Sequence, residues 1–249
     1  MRKEAMITLN DIKEAKKRLS NTVRATPLMK APILSKEKNA EIFLKEDNLQ
    51  LTGSFKIRGA FNKLAMMDDK RRKNGVVAAS AGNHAQGLAY AAQHFGCEAT
   101  IFMPEATPLT KVSGVKSYGA NVVLVGENFD EAYATATKFA LDNDKEFIHP
   151  FADDAVIAGQ GTIALEILEK IEDIEHIIVP IGGGGLISGI AIAAKAINPN
   201  IKITGVVASG ARGMKDSFEA RMPIDSASVK TIADGIAVRD VTPKLLDII

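Results

Sequence analysis

The chain has 249 residues, 46% of them hydrophobic and 24% charged, which is enough to bury a real core in one large or two small domains. Its 31 Lys and Arg against 30 Asp and Glu leave a formal charge of +1, so no electrostatic excess points to nucleic acid or an anionic membrane as the partner. The lone Cys97 excludes an internal disulfide framework and a cysteine-based zinc site. The N-terminal MRKEAMITLNDIKEAKKRL is too charged for a signal peptide, and no apolar run reaches the roughly 18 residues of a membrane span. A cytoplasmic α/β protein is the expectation.

In chain order, apolar runs of strand length alternate with helical patterns. The pattern predicts a strand at 41–45 (EIFLK), a helix over 54–67, a strand at 75–79 (GVVAA) and a helix over 83–95. It continues with strands at 99–103 (ATIFM) and 121–125 (NVVLV), followed by helices over 110–118 and 130–141 respectively. A stretch at 147–154, FIHPFADD, breaks the rhythm and is read as a boundary between two units. Beyond it come a helix over 154–171, a strand at 176–181 (HIIVPI), a helix over 186–197 and a strand at 201–207 (IKITGVV). Several strands are apolar on both faces, as in parallel sheets covered by helices on both sides. Such open α/β sheets bind ligands off the carboxyl ends of their strands. There is no heptad, low-complexity tract or internal repeat. The last residues, KLLDII, read as the middle of an amphipathic helix, so the chain is expected to be C-terminally truncated.

Three stretches carry chemistry. In Ile181–Leu186, IGGGGL, four glycines follow an apolar strand and open a helix. Without side chains, their N–H groups can converge on a phosphate at the helix's positive end; the alternative is a tight packing turn. The spacing is neither that of a P-loop nor G-x-G-x-x-G. In Thr52–Ala60, TGSFKIRGA, Lys56 follows Phe55 just inside a helix start with Ser54 as a candidate cap. The helix dipole disfavours a cation there, so Lys56 is either a surface lysine or a desolvated amine of lowered pKa suited to bonding a carbonyl group. In SAGNH, Ser80, Ala81, Gly82, Asn83 and His84 lead from a strand into a helix. They could cradle a carboxylate; alternatively, Asn83 is a cap and His84 a helix-surface residue. His94, His149 and His176 stand singly, without the spacing of metal ligands, and no Gly-x-Ser-x-Gly elbow is present.

A phosphate cradle, an activatable lysine and a carboxylate loop together resemble the second fold type of pyridoxal-phosphate enzymes, the tryptophan synthase β-like group. The closer resemblance is to the threonine dehydratases (threonine ammonia-lyases) of the short catabolic form. It runs through EIFLKEDNLQLTGSFKIRGAFNKL, GVVAASAGNHAQG, VIAGQGTIALEI, IIVPIGGGGLISGIA and TIADGIAV, in order and over nearly the whole chain.

That resemblance implies two open, twisted α/β domains, incomplete at the C-terminus. One is a small domain at 53–147; the other is a large cofactor-binding domain from 1–52 and 148–249. It implies that Lys56 holds the aldehyde of pyridoxal 5'-phosphate as a Schiff base and serves as the Cα base, with Phe55 against the ring. Asn83 would bond the ring oxygen, Gly182, Gly183, Gly184, Gly185 and Leu186 the phosphate, and the stretch from Ser80 to His84 the substrate carboxylate. L-Threonine would give 2-oxobutanoate and ammonia, and L-serine would give pyruvate. A homo-oligomer with AMP as effector is implied as well.

Serine racemases resemble SSGNH where this chain has Ala81, which cannot supply the acid on the second face, so elimination is favoured. Ser209 stands where racemases place a metal carboxylate, so no metal is expected. The family's Ser-Gly-Gly-Asn stretch, which contacts the pyridine nitrogen, has no match after Gly185, and apolar surface on the large domain is expected to be exposed. The rival readings are a serine racemase or other hydroxyamino-acid dehydratase, and a non-catalytic cofactor-binding remnant.

Overall fold

The structure is a computed structural model that describes residues 7–249. Residues 1–6, which open both the stretch read for a leader and the large-domain assignment, lie outside it. The elements in chain order are α1 (Leu9–Leu19), β1 (Leu28–Lys30), α2 (Pro32–Lys38), β2 (Phe43–Lys45), α3 (Lys56–Met66) and α4 (Asp69–Asn74). They continue with β3 (Val76–Ala79), α5 (Asn83–Phe95), β4 (Ala99–Met103), α6 (Leu109–Lys116), β5 (Asn121–Leu124), α7 (Phe129–Asp142) and β6 (Glu146–Phe147). The remainder is α8 (Asp154–Leu168), β7 (His176–Pro180), α9 (Gly185–Ile197), β8 (Lys202–Val206), α10 (Gly213–Ala220) and α11 (Pro243–Leu246).

Strands β5-β4-β3-β6 form a parallel sheet in that order, and β7 pairs in parallel with β8. The central strands β3 and β4 are buried at every residue, which explains why Thr100 is their one polar side chain. One face of this sheet packs against α3, α5 and α6 through Leu64, Leu88, Ile101 and Val112, and the other packs against α7 around Phe102, Ala136 and Phe139. A separate core joins Ile177 and Val179 of β7 to Ile163 of α8 and Ile190 of α9. The opposite face of that two-stranded sheet is open. Ile178 is 64% exposed and Val206 47%.

The structure corrects several expected elements. The predicted strand at 41–45 shortens to β2, which pairs antiparallel with β1, a strand the pattern did not reveal. Strands expected to end at residues 125, 181 and 207 end at Leu124, Pro180 and Val206, and the helix expected to reach residue 171 ends at Leu168. KLLDII forms only the short α11. Ser54 is not a cap: Phe55 holds that position, and the Ser54 hydroxyl is buried without a partner. Asn83 does not cap α5 either, since Gly82 stands at the cap and Asn83 is the first helical residue.

Helix α3 lies between α5 and α8. Its approach to α8 is backbone-close: a Cβ at Gly159 would meet Arg58 O at 2.5 Å. Beside that contact, Arg58 is 1% exposed and donates from Nε and Nη2 to Asp47 at 2.7 and 2.9 Å, and from Nη1 and Nη2 to Glu166 of α8 at 2.5 and 3.0 Å. Lys45 of β2 completes the network with Glu166 at 2.6 Å. Helix α3 is thus tied to α8 and to the segment around Asp47 at a point two residues from Lys56.

Among the described residues, no helix is long and apolar enough to cross a membrane, and no group of three or more His, Cys, Asp or Glu is arranged to hold a metal ion.

Candidate functional site

A cleft with an empty volume of about 450 Å³ is lined by Phe55, Lys56, Pro150, Phe151, Gln160, Pro180, the run from Gly182 to Leu186, Gly235, Ile236 and Val238. It lies off the carboxyl end of β7, where open α/β sheets bind ligands. Lysine and glycine loop, separated by more than a hundred residues in sequence, share one wall.

Lys56 is the first residue of α3, and the side chain is half-buried. Its Nζ donates to Pro150 O at 2.9 Å and lies 5.4 Å from the centre of the Phe55 ring. Burial lowers its pKa to about 8. The helix's positive end acts in the same direction. The reading of Lys56 as a surface lysine is therefore wrong, because the amine is desolvated.

The glycine loop leaves β7 and enters α9 through Gly184, whose φ of +94° is a conformation that an L side chain rarely adopts. A Cβ at Gly183 would lie 2.5 Å from the Phe151 ring, and one at Gly185 would lie 2.5 Å from Phe151 O. The run therefore contains no spare glycine at these positions. These glycines line the cleft where α9 begins, and the free N–H groups of a helix start are a donor set that fits a phosphate. A lysine of lowered pKa beside it fits an aldehyde. The residues present fit pyridoxal phosphate.

The SAGNH loop follows β3 and opens α5. Ser80 Oγ accepts from Gly82 N–H at 3.2 Å, which shapes the turn. None of Ser80, Ala81, Gly82, Asn83 or His84 is in the cleft lining, but Asn83 is exposed at its edge: a Cβ at Gly235 would meet Asn83 Nδ2 at 3.7 Å. His84 is not a helix-surface residue. It is 3% exposed, its Nε2 donates to Ile148 O at 3.0 Å, and its Nδ1 is buried without a partner.

Sequence alone assigns no role to Pro150, Phe151, Gln160, Gly235, Ile236 or Val238. Pro150 and Phe151 sit in the boundary stretch at 147–154, and the others fall in VIAGQGTIALEI and TIADGIAV. Those blocks are the signal that could have found them.

Two histidines flank Lys56. Burial, with the Lys56 charge adding, lowers His84 to about 3 and His149 to about 4. His149 Nδ1 accepts from the N–H groups of Phe151 and Ala152 at 3.3 and 3.0 Å, so the ring is held neutral. In the unfolded chain these rings titrate near 6.5, so the unfolded state binds more protons as pH falls below that value. Stability should therefore fall from pH 6.5 toward 4 by about 1 kcal/mol per pH unit for each ring. Urea unfolding at several pH values measures this, and a His84→Gln variant should lose part of the slope.

The family model described as pyridoxal-phosphate dependent enzyme matches residues 19–249. The chain is 51% identical over 242 residues to an L-threonine ammonia-lyase of Thermotoga maritima, covering 94% of this chain and 58% of that protein. It is 46% identical over 235 residues to the catabolic L-threonine dehydratase of Staphylococcus aureus, covering 94% of this chain and 68% of that one. Among solved structures, the processed form of threonine deaminase isoform 2 from Solanum lycopersicum superposes with a TM-score of 0.92 at 39% identity, over 96% of this chain and 66% of that one. Maize serine racemase superposes with a TM-score of 0.94 at 36% identity, over 98% and 74% respectively. The chain thus spans roughly three fifths to three quarters of the length of these four relatives.

Proposed function

This chain belongs to the pyridoxal-phosphate dependent enzyme family, and from that premise we propose that it eliminates the β-hydroxyl of L-threonine as water, the enamine product then taking water back by hydrolysis, so that the net products are 2-oxobutanoate and ammonia; L-serine would likewise give pyruvate and ammonia. The observation that carries the reading is the pairing, in one cleft, of a buried amine of lowered pKa with a glycine loop at a helix start. The cofactor, when bound, supplies the electron sink that weakens bonds at the substrate Cα.

The chain's own residues do the rest. Lys56 would hold the cofactor's aldehyde, and as a free amine it would be placed to take the Cα proton; a pKa near 8 leaves part of the amine neutral at physiological pH. The N–H groups from Gly182 to Leu186 hold the phosphate. Phe55 would pack against the ring, and Asn83, at the cleft's edge, would bond its oxygen. The turn from Ser80 to His84 offers N–H groups at the start of α5 to the substrate carboxylate.

Elimination is favoured over racemisation because Ala81 has no group that can donate or accept a proton on the second face. The small and large units are read as 53–147, and as 1–52 with 148–249. A cytoplasmic homo-oligomer with AMP as effector follows from the family resemblance.

The test is 2-oxo acid release from L-threonine by the purified chain supplied with pyridoxal phosphate, with L-serine run in parallel and its chirality followed. Release of 2-oxobutanoate is expected. Formation of D-serine without 2-oxo acid would replace the lyase with a racemase. Cofactor binding with neither product would make the chain a binding remnant.

A further inference from the structure

Residues 234–238 span the cleft from one flank to the other. At the glycine loop, a Cβ on Gly182 would meet Val238 Cγ2 at 3.0 Å and Ile236 Cα at 3.1 Å. At the other flank, a Cβ on Gly235 would meet Asn83 Nδ2 of α5 at 3.7 Å. Gly235, Ile236 and Val238 thus form a wall that bridges the two sides, while Asp234 beside them is exposed to solvent.

Little holds this wall in place. Its backbone hydrogen bonds are local: Ile236 N–H donates to Ala233 O, Ala237 N–H to Asp234 O and Val238 N–H to Ile236 O. The firm anchor lies beyond it, where Ser226 N–H donates to Arg239 O at 3.0 Å and Val241 N–H to Asp225 Oδ1 at 3.2 Å. On the other side Ile232 is fully exposed and packs against nothing. Among the described residues, one hydrogen bond ties residues 231–238 to the opposite flank. Lys111 of α6 donates from Nζ to Asp234 Oδ2 at 2.9 Å, and that bond holds the Asp234 carboxyl below its usual pKa.

We propose that Lys111 and Asp234 are a positioning pair, their ion pair holding residues 234–238 across the cleft and so slowing the escape of pyridoxal phosphate bound beneath them. This rests on the reading that the cofactor occupies this cleft at Lys56. Lys56 bonds and frees the aldehyde reversibly, so escape depends on how often the wall is open while the aldehyde is free.

The hold is a light one. The two side chains are 40% and 76% exposed, and such pairs shift an equilibrium by at most about fivefold. Salt reaches them and weakens them further. A light latch suits a wall that must also open to admit the cofactor and an amino acid, since moving elements are drawn from the least stable parts of a fold.

The test is release of pyridoxal phosphate from the loaded chain, followed on dilution as loss of the Lys56-dependent visible band, together with amide hydrogen exchange over residues 231–238. Lys111→Glu and Asp234→Lys are compared with the parent and with the double variant, in which the two charges are exchanged. Both positions are exposed, so the variants keep the fold, and unchanged exchange in β3 and β4 verifies it. Each single variant should release cofactor about two- to fivefold faster at low salt and exchange faster over 231–238. The double variant should return to within about twofold of the parent. About 0.5 M salt should bring the parent toward the single variants.

Single variants that release cofactor at the parent's rate would overturn the proposal, even where their exchange is faster, because the segment would then not gate the cleft. So would a double variant no slower than the singles, since the two residues would then act separately. Absence of a Lys56-dependent band in the parent would overturn the lyase reading and the hold on the cofactor together; a band with unmoved release overturns the latch alone.

Discussion

Lys56→Ala is expected to abolish the visible cofactor band and to lower kcat/KM for L-threonine by at least about a thousandfold, since it removes both the carbonyl-binding amine and the Cα base. Among the described residues, no other amine lines the cleft. Lys63, further along the same helix, is engaged with Asp153 at 2.8 Å and Glu146 at 3.1 Å and cannot substitute. Spectra with added cofactor and a 2-oxo acid assay are the measurements; a Lys56→Ala protein that keeps its turnover would sink the mechanism.

The sign of the pH effect follows from the same burial. The neutral fraction of Lys56 grows as pH rises through about 8, so carbonyl capture by the parent should strengthen through that value. The unfolded lysine, at 10.5, binds more protons than the folded one between 8 and 10.5, so Lys56 contributes a stability that rises with pH across that window.

Arg58→Ala is expected to cost about 3 to 5 kcal/mol of stability by leaving buried carboxylates without their cation, lowering Tm by about 10 °C for a chain of this size. Asp47 loses both of its bonds to the guanidinium, while Glu166 keeps Lys45 at 2.6 Å. The two carboxylates therefore respond differently. Adding Asp47→Asn to Arg58→Ala should restore part of the loss, because the stranded charge is removed. Thermal melts of the single and double variants decide it. An Arg58→Ala protein as stable as the parent would mean that the network carries no net stability.

The alternation of strands and helices was legible in the sequence because local patterning sets it. β3 and β4 are apolar at every position but Thr100, and the structure buries every position. The glycine run was legible for a related reason, since few sequences need four glycines after a strand. β1 was harder: at three residues it carries too short a pattern, and its antiparallel pairing with β2 depends on contacts made across α2. Cap positions were no more legible. Ser54 and Asn83 are good cap residues by type, yet packing around α3 and the turn after Ala79 placed Phe55 and Gly82 there instead.

The sequence by itself determined the fold class, the family resemblance and the identity of the lysine and glycine loop, because those depend on local periodicity and on ordered motifs. Only the tertiary structure decided that Lys56 is desolvated, that His84 and His149 are held neutral beside it, and that Gln160, its amide oxygen buried and unpaired, lines the same cleft. Burial and pKa belong to the groups that surround a side chain, and those groups come from segments up to about a hundred residues away: Pro150 lies 94 positions from Lys56. No local pattern encodes such a neighbour; the packing of α3 against α5 and α8 does.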